Sequence, residues 1–538
     1  MSRVAIDSFQ HVASRRAKIH KLISPCGLIG VVLAWGAAFS LAAEVALPTP
    51  IEQSNYSRAS SGAEVSAYLT VLAAAYPQAR VETIGASVLG RPLEALVLTD
   101  FPAAKSAPSE RLTVEIIGSQ HGMEGAGTET LLFIARELLA GDLQHVLADV
   151  DVVLVPNSNP DGFEVNQRVN ANGVNLNTDF VALTQPESVA LVKSLDRYEP
   201  EVVLDVHESA ILKKKSLALE GYLTNFLAQF EIANNPNISR ELRDFALNEV
   251  LTPWIAGVDA AGFNAHRYFG EIRSSRQPVT NGGLLLQNFR NRAGIEGRLS
   301  FLMETRLDPK VGDYPTYRNL GARVARQRIS IERFLQVVHQ RRDEILAALA
   351  GAQQRANREP LALDVRYVAD KADPPVAIDL RRINDGELER IEFVDSRTVA
   401  TRAPLRLPAG YVVRAHQTEI AEVLDRQGIH YERLESPRKM SGVAFDVRPG
   451  KVRFQVAALA QPDAATIAAT NQALDRVQER SARIESVAGD LWIDLDQPRG
   501  RFAALIFEPR SGSSLYRSAA YQHLVGPGET LPVVRIPR

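Results

Sequence analysis

Four short, almost wholly apolar runs, at 112–117, 150–155, 202–206 and 299–303, constrain this chain more than anything else in its sequence. The first three are rich in β-branched side chains, and each is shorter than a buried helix and lacks the polar alternation of a strand with one face in water. Helical patterns lie among them. Ser61 and Glu64 form a capping box ahead of an amphipathic stretch at 62–76, and further helices are predicted at 128–139, closed by Gly141, and at 186–195. Two strand-like runs, 80–84 and 93–98, share a glycine-containing turn. Strands that alternate with helices predict an α/β domain whose largely parallel sheet is covered by helices.

The chemistry gathers where these runs end. The first leads into Gly118-Ser119-Gln120-His121-Gly122-Met123-Glu124-Gly125, the third into His207 and the fourth into Glu304. In an open α/β sheet the carboxyl ends of the strands form the edge where ligands bind. His121, Glu124 and His207 are ordinary zinc donors, and three protein ligands leave a fourth position for water, as in catalytic sites. Zinc lowers the pKa of such a water to about 7. Glu304 is then the candidate general base, and Arg168, in the loop after 150–155, is a candidate to face the developing oxyanion. Taken singly, His207 reads as a structural histidine and Glu304 as a surface carboxylate. Their common placement at strand ends is what that reading leaves unexplained.

Composition narrows the class. The chain has 538 residues, 45% of them apolar, and a formal charge of −2, which allows two cores and argues against a nucleic-acid partner. The basic residues Arg15, Arg16, Lys18 and Lys21 precede an apolar run at 27–41 and a small-residue end, so 1–43 reads as a secretory signal, with an uncleaved anchor as the alternative. A periplasmic or secreted location follows, with no stable membrane partner unless the signal is retained. The one cysteine, Cys26, falls within that segment, so a metal site must draw on His, Asp and Glu.

In this order the motifs resemble those of the zinc carboxypeptidases of the carboxypeptidase A type, peptidase family M14. They are His121-Gly122-Met123-Glu124, Asn159-Pro160-Asp161-Gly162, Arg168 with Gly173-Val174-Asn175-Leu176-Asn177, Leu204-Asp205-Val206-His207 and Phe301-Leu302-Met303-Glu304-Thr305-Arg306, spread over residues 56–345. The resemblance implies an α/β/α fold with a mixed sheet, one Zn2+ per chain on His121, Glu124 and His207, and Glu304 as base. It also implies that Arg168 polarises the scissile carbonyl and that Asn177 helps hold the carboxylate of a peptide or peptide-like substrate. Two positions depart from the pattern. Thr178 stands where the family usually has an arginine for the C-terminal carboxylate, and a hydroxyl offers one neutral hydrogen bond in place of two charge-assisted ones. Arg290, Arg292 or Arg306 are the available substitutes. Asn175 stands where an aspartate commonly orients a zinc-bound histidine, and it can accept that bond without adding charge. Tyr268 is the candidate for the mobile tyrosine of many members.

The organisation read from the sequence is a signal at 1–43, a catalytic domain at 44–350, a polar linker at 351–360 and a β-rich α+β accessory domain at 361–538. Strands are expected at 375–380, 388–394, 410–415, 443–447, 451–457, 491–495 and 501–507, and helices at 318–349, 419–426 and 464–484. The last domain resembles the C-terminal extension of some bacterial members. The function expected is an exported metallocarboxypeptidase. Alternatives are a zinc amidohydrolase acting on cell-wall peptides or N-acyl amino acids, and a catalytically silent peptide-binding protein.

Overall fold

The computed structural model describes residues 47–99, 111–212, 217–310, 312, 314–370, 372–448, 471, 474–525 and 528–538. The signal segment, the strand expected at 451–457 and the first part of the helix expected at 464–484 lie outside them. At the centre is an eight-stranded sheet built from β1 (Ala79–Ala86), β2 (Pro92–Leu98), β3 (Leu112–Gly118), β4 (Val150–Val155) and β5 (Val202–Ala210), with β7 (Ala228–Ile232), β8 (Ala265–Arg267) and β9 (Leu299–Leu307). A short strand, β6 (Tyr222–Thr224), lies outside it. The order is β1-β2-β4-β3-β5-β9-β7-β8, and the middle four strands, β4, β3, β5 and β9, run parallel. They are the four apolar runs. Antiparallel pairs flank them, β1 with β2 and β2 with β4 on one side and β9 with β7 on the other, so the sheet is mixed.

Strand periodicity sorts the side chains between two faces. Val114, Ile116, Val152, Leu154, Val202, Leu204, Val206 and Phe301 pack against the helices Ala126–Ala140 and Leu320–Gln340. Ile117, Val153, Val155 and Val203 face the opposite way, toward helix Pro186–Tyr198 and helix Phe289–Ile295. Both faces are therefore dry, which is why these strands carry no polar alternation.

Residues 46–538 form one compact unit. Strands β10 (Leu361–Val368) and β13 (Thr398–Leu405) pair with each other, and β11 (Val376–Arg382) pairs with β12 (Leu388–Phe393) on one edge and with β6 on the other. A six-stranded sheet follows, from β14 (Gly410–Val413), β15 (Glu432–Arg433), β16 (Lys439–Asp446), β17 (Gln478–Glu485), β18 (Leu491–Asp494) and β19 (Thr530–Ile536). Two expectations fail here. Residues 501–507 lie in a helix, Gly500–Phe507, every side chain of which is buried, so the apolar run lacked the period that separates a helix from a strand. The end of the stretch expected to be helical, 478–484, pairs antiparallel with β16 as β17. The polar stretch 351–360 contains a helix, Ala352–Ala356, and the buried Arg501 guanidinium donates to Glu359 O at 2.9 Å.

Candidate metal centre

β3 leaves the sheet through Ser119, a non-glycine residue with φ of 55°, fixed by its hydroxyl against Thr128 Oγ1 at 2.8 Å. Gly122 then crosses the turn at Gly162 so closely that a Cβ would sit 2.0 Å from a backbone carbon, which accounts for glycine at that position. The crossing presents His121 and Glu124, both buried, to the C-terminal half of β5, which carries His207, also buried.

His121 Nδ1 lies 2.8 Å from Glu124 Oε1, His207 Nδ1 lies 3.0 Å from Glu124 Oε2, and the two Nδ1 atoms are 3.2 Å apart. Donors on a tetrahedral shell with zinc bonds of about 2.0–2.2 Å would be separated by about 3.3 Å. The three side chains are the cluster among the described residues whose ligand atoms converge within 4.8 Å. Their outer nitrogens are tied as well. His121 Nε2 donates to Asn175 Oδ1 at 2.9 Å, and His207 Nε2 to Asp205 Oδ1 at 2.9 Å. Each of these bonds leaves an Nδ1 lone pair facing the shared point, so the donor set fits a divalent zinc ion.

The two histidines differ in their electrostatics. Burial disfavours a charged imidazole at both histidines. At His121 burial prevails and the pKa is lowered, whereas at His207 the Asp205 and Glu124 carboxylates outweigh it and hold the pKa well above the usual value. Glu124 is held well below the carboxylate range by the two imidazoles in spite of its burial. Glu208 N also donates to Glu124 Oε2 at 3.1 Å, and the buried Arg323 clamps the Glu208 carboxylate at 2.5 and 2.7 Å.

Glu304 is half-buried within β9, which runs three residues beyond it, and lies directly opposite His207 in the parallel register. Tyr268 lies near enough for the Glu304 charge to add to burial in raising its phenol. Arg168 is half-exposed and donates to Glu124 Oε1 at 3.1 Å. Asn177 accepts from Phe289 N at 3.0 Å and brings its Nδ2 to 3.3 Å from His207 Nε2. Thr178 is exposed, and its hydroxyl donates to Asn175 O at 2.8 Å. Of the substitute arginines, Arg292 is buried against Glu296 and over the Phe502 ring, and Arg306 pairs with Asp308 at 2.7 Å. Arg290 is buried and donates to Asn234 Oδ1 and Gly283 O. Sequence reading missed the roles of Asp205, Glu208 and Arg323. Asp205 was legible, since position i−2 on a strand shares the face of His207; Arg323 arrives from a helix over a hundred residues away and left no local signal.

Sheet and donor set together define a class: an α/β domain with a single two-histidine, one-carboxylate metal centre at the carboxyl ends of its parallel strands. Residues 65–202 match the family described as Zinc carboxypeptidase, Peptidase_M14. It is 27% identical over 226 residues to "Carboxypeptidase 2" of Trichophyton tonsurans, covering 40% of this chain and 41% of that protein. It is 34% identical over 131 residues to "Carboxypeptidase SOL1" of Arabidopsis thaliana, covering 21% of this chain and 26% of that protein. The chain thus spans about two fifths of the length of that fungal relative. Among solved structures, a metallo-carboxypeptidase from Burkholderia cenocepacia superposes with a TM-score of 0.40 at 22% identity, covering 54% of this chain and 71% of that one.

Proposed function

We propose that this protein is an exported, periplasmic or secreted, zinc-dependent carboxypeptidase that hydrolyses peptide bonds near the C-terminus. The observation that carries the reading is the convergence of His121, Glu124 and His207 with Glu304 beside His207 in the register. Zinc held there would supply Lewis acidity toward water and a carbonyl oxygen. Glu304 takes a proton from the attacking water and hands it to the departing amine nitrogen. Arg168 faces the negative charge that develops on the carbonyl oxygen. Asp205 takes up the outer N–H of His207, which leaves the Asn177 amide free for the substrate's terminal carboxylate, with Thr178 beside it. Residues 44–350 carry this chemistry, and 361–538, joined through 351–360, shape access to it.

Glu304→Gln is expected to retain one zinc per chain while turnover falls by at least about a hundredfold. Loss of zinc, or unchanged turnover, would sink the assignment. A second reading, an amidohydrolase without a free-carboxylate requirement, is favoured by Thr178, whose hydroxyl is spent on Asn175 O. Peptides with a free C-terminus assayed beside their C-terminal amides separate the two: preference for the acid supports the carboxypeptidase, and equal rates support the alternative.

A further inference from the structure

A cavity of about 280 Å³ opens on the far flank of the ligand-bearing loop, lined by Gly122, Met123, Phe163, Arg58, Arg318 and Arg323 among others. It borders the residues between and beside His121 and Glu124. It also lies at the start of helix Leu320–Gln340, on the face of the sheet opposite Phe180 and Phe289, which pack next to Asn177.

The charges around this cavity are unequally spent. Arg58 is paired with Glu64, and Arg323 with Glu208. Arg318 is only 6% exposed, donates its Nε to Asp308 O at 2.9 Å, and makes no ion pair among the described residues. Burying a guanidinium without a carboxylate is costly, and here the backbone adds to the cost. Arg318 and Asn319 are consecutive non-glycine residues in the left-handed region, with φ of 48° and 56°. The helix that begins at Leu320 has no acidic residue in its first turn, so its N-terminal dipole is uncompensated as well. One carboxylate, Glu164, stands at the rim, but it is exposed and accepts from Gly62 N. Solvent screens that charge, whereas the Arg318 charge acts inside the wall.

We propose that this cavity is a subsite for a carboxylate side chain of the peptide, upstream of the bond to be cleaved, with Arg318 as its counter-ion. The assignment rests on the carboxypeptidase reading: if the C-terminus sits at Asn177 and Thr178, a chain crossing the metal centre reaches Gly122, Met123 and Arg318 with its preceding residues. The ligand class is an acidic peptide, and the subsite raises selectivity without entering the chemistry.

The test uses the full chain, zinc-loaded and carrying Glu304→Gln so that peptides are bound and not consumed. Neutral peptides are compared with versions bearing one glutamate, moved through successive upstream positions and then placed at the C-terminal residue. One upstream position is expected to tighten Kd about tenfold over its glutamine analogue, the scale of a charge-assisted hydrogen bond. Arg318→Asn, which tolerates the left-handed backbone, should remove that gain and leave neutral peptides unaffected. Arg318→Lys should keep part of it, and it also serves if the asparagine variant does not fold. Equal binding of glutamate and glutamine peptides by the parent overturns the proposal, as does a gain that survives Arg318→Asn or appears only at the C-terminal residue. Cleavage of neutral peptides by the wild type without acidic preference removes the subsite alone. Failure to bind or cleave any peptide removes the carboxypeptidase reading with it.

Discussion

At the scale of single residues, the metal centre is governed as much by the groups behind its ligands as by the ligands. Asp205 fixes the ring of His207 with a charged acceptor, and Asn175 fixes His121 with a neutral one. Asp205→Ala is therefore expected to weaken zinc binding about 10- to 100-fold, and Asn175→Asp to strengthen it, both read by competition with a chromophoric chelator. Gly122→Ala should be worse than either, because a methyl 2.0 Å from the Gly162 backbone must push the ligand loop aside; zinc content and Tm should fall together. Away from the site, burial raises the carboxyls of Glu115 and Glu129 to about 7. An acid whose folded pKa is raised stabilises the fold fully below its unfolded value, near 4.5, and loses that contribution as pH climbs to about 7. Glu115→Gln should flatten this loss, so that unfolding midpoints at pH 5 and pH 8 lie closer together than in the wild type. An unchanged difference would show that Glu115 does not carry it.

At the scale of elements, the four parallel strands were legible because both faces of each strand are apolar, and the covering helices Ala126–Ala140, Pro186–Tyr198 and Leu320–Gln340 followed from their helical patterns, whereas Phe289–Ile295 was not foreseen. The strands β6, β7 and β8 were not legible, since 212–298 shows no clean motif, and their pairing is set by partners far along the chain. β6 is the clearest case. Its three half-buried residues pair with Leu380, Arg381 and Arg382 of β11, and Leu380 and Ile378 share a small core with Phe226, Phe269 and Phe393. This core braces the segment that carries Tyr268 beside Glu304. Leu380→Ala is expected to cost about 2–5 kcal/mol by leaving a cavity, and hydrogen exchange should rise across 222–232 and 265–282. Protection unchanged in those two segments would show that β11 is merely attached to them. Helix Gly500–Phe507 teaches the converse lesson: an element apolar on every side has no period to read, so its surroundings decide its form.

At the scale of the whole molecule, the boundary near 351–360 that composition suggests is crossed by continuous packing. The principal core holds Leu335 and Phe334 together with Leu361, Leu363, Tyr411 and Phe502. Gln427 donates to Phe180 O and Val181 O, immediately beyond Asn177 and Thr178, and Arg499 pairs with Glu296 at 2.6 Å. A chain ending at residue 360 is accordingly expected to lose cooperative unfolding and zinc retention, assessed by calorimetry and metal analysis; a stable, zinc-loaded fragment would restore an independent first domain. No helix among the described residues is long and apolar enough to cross a membrane.

Sequence by itself determined the sheet's four central strands and the identities of the side chains at their ends, because periodicity and capping are local and strand ends are where an α/β sheet exposes its functional groups. Only the tertiary structure decided which nitrogen of each histidine faces the shared point, that Glu208 and Arg323 brace Glu124 from behind, and that Arg318 stands buried beside the ligand loop with no carboxylate partner among the described residues. Those outcomes depend on contacts between segments up to some two hundred residues apart, which no local pattern encodes.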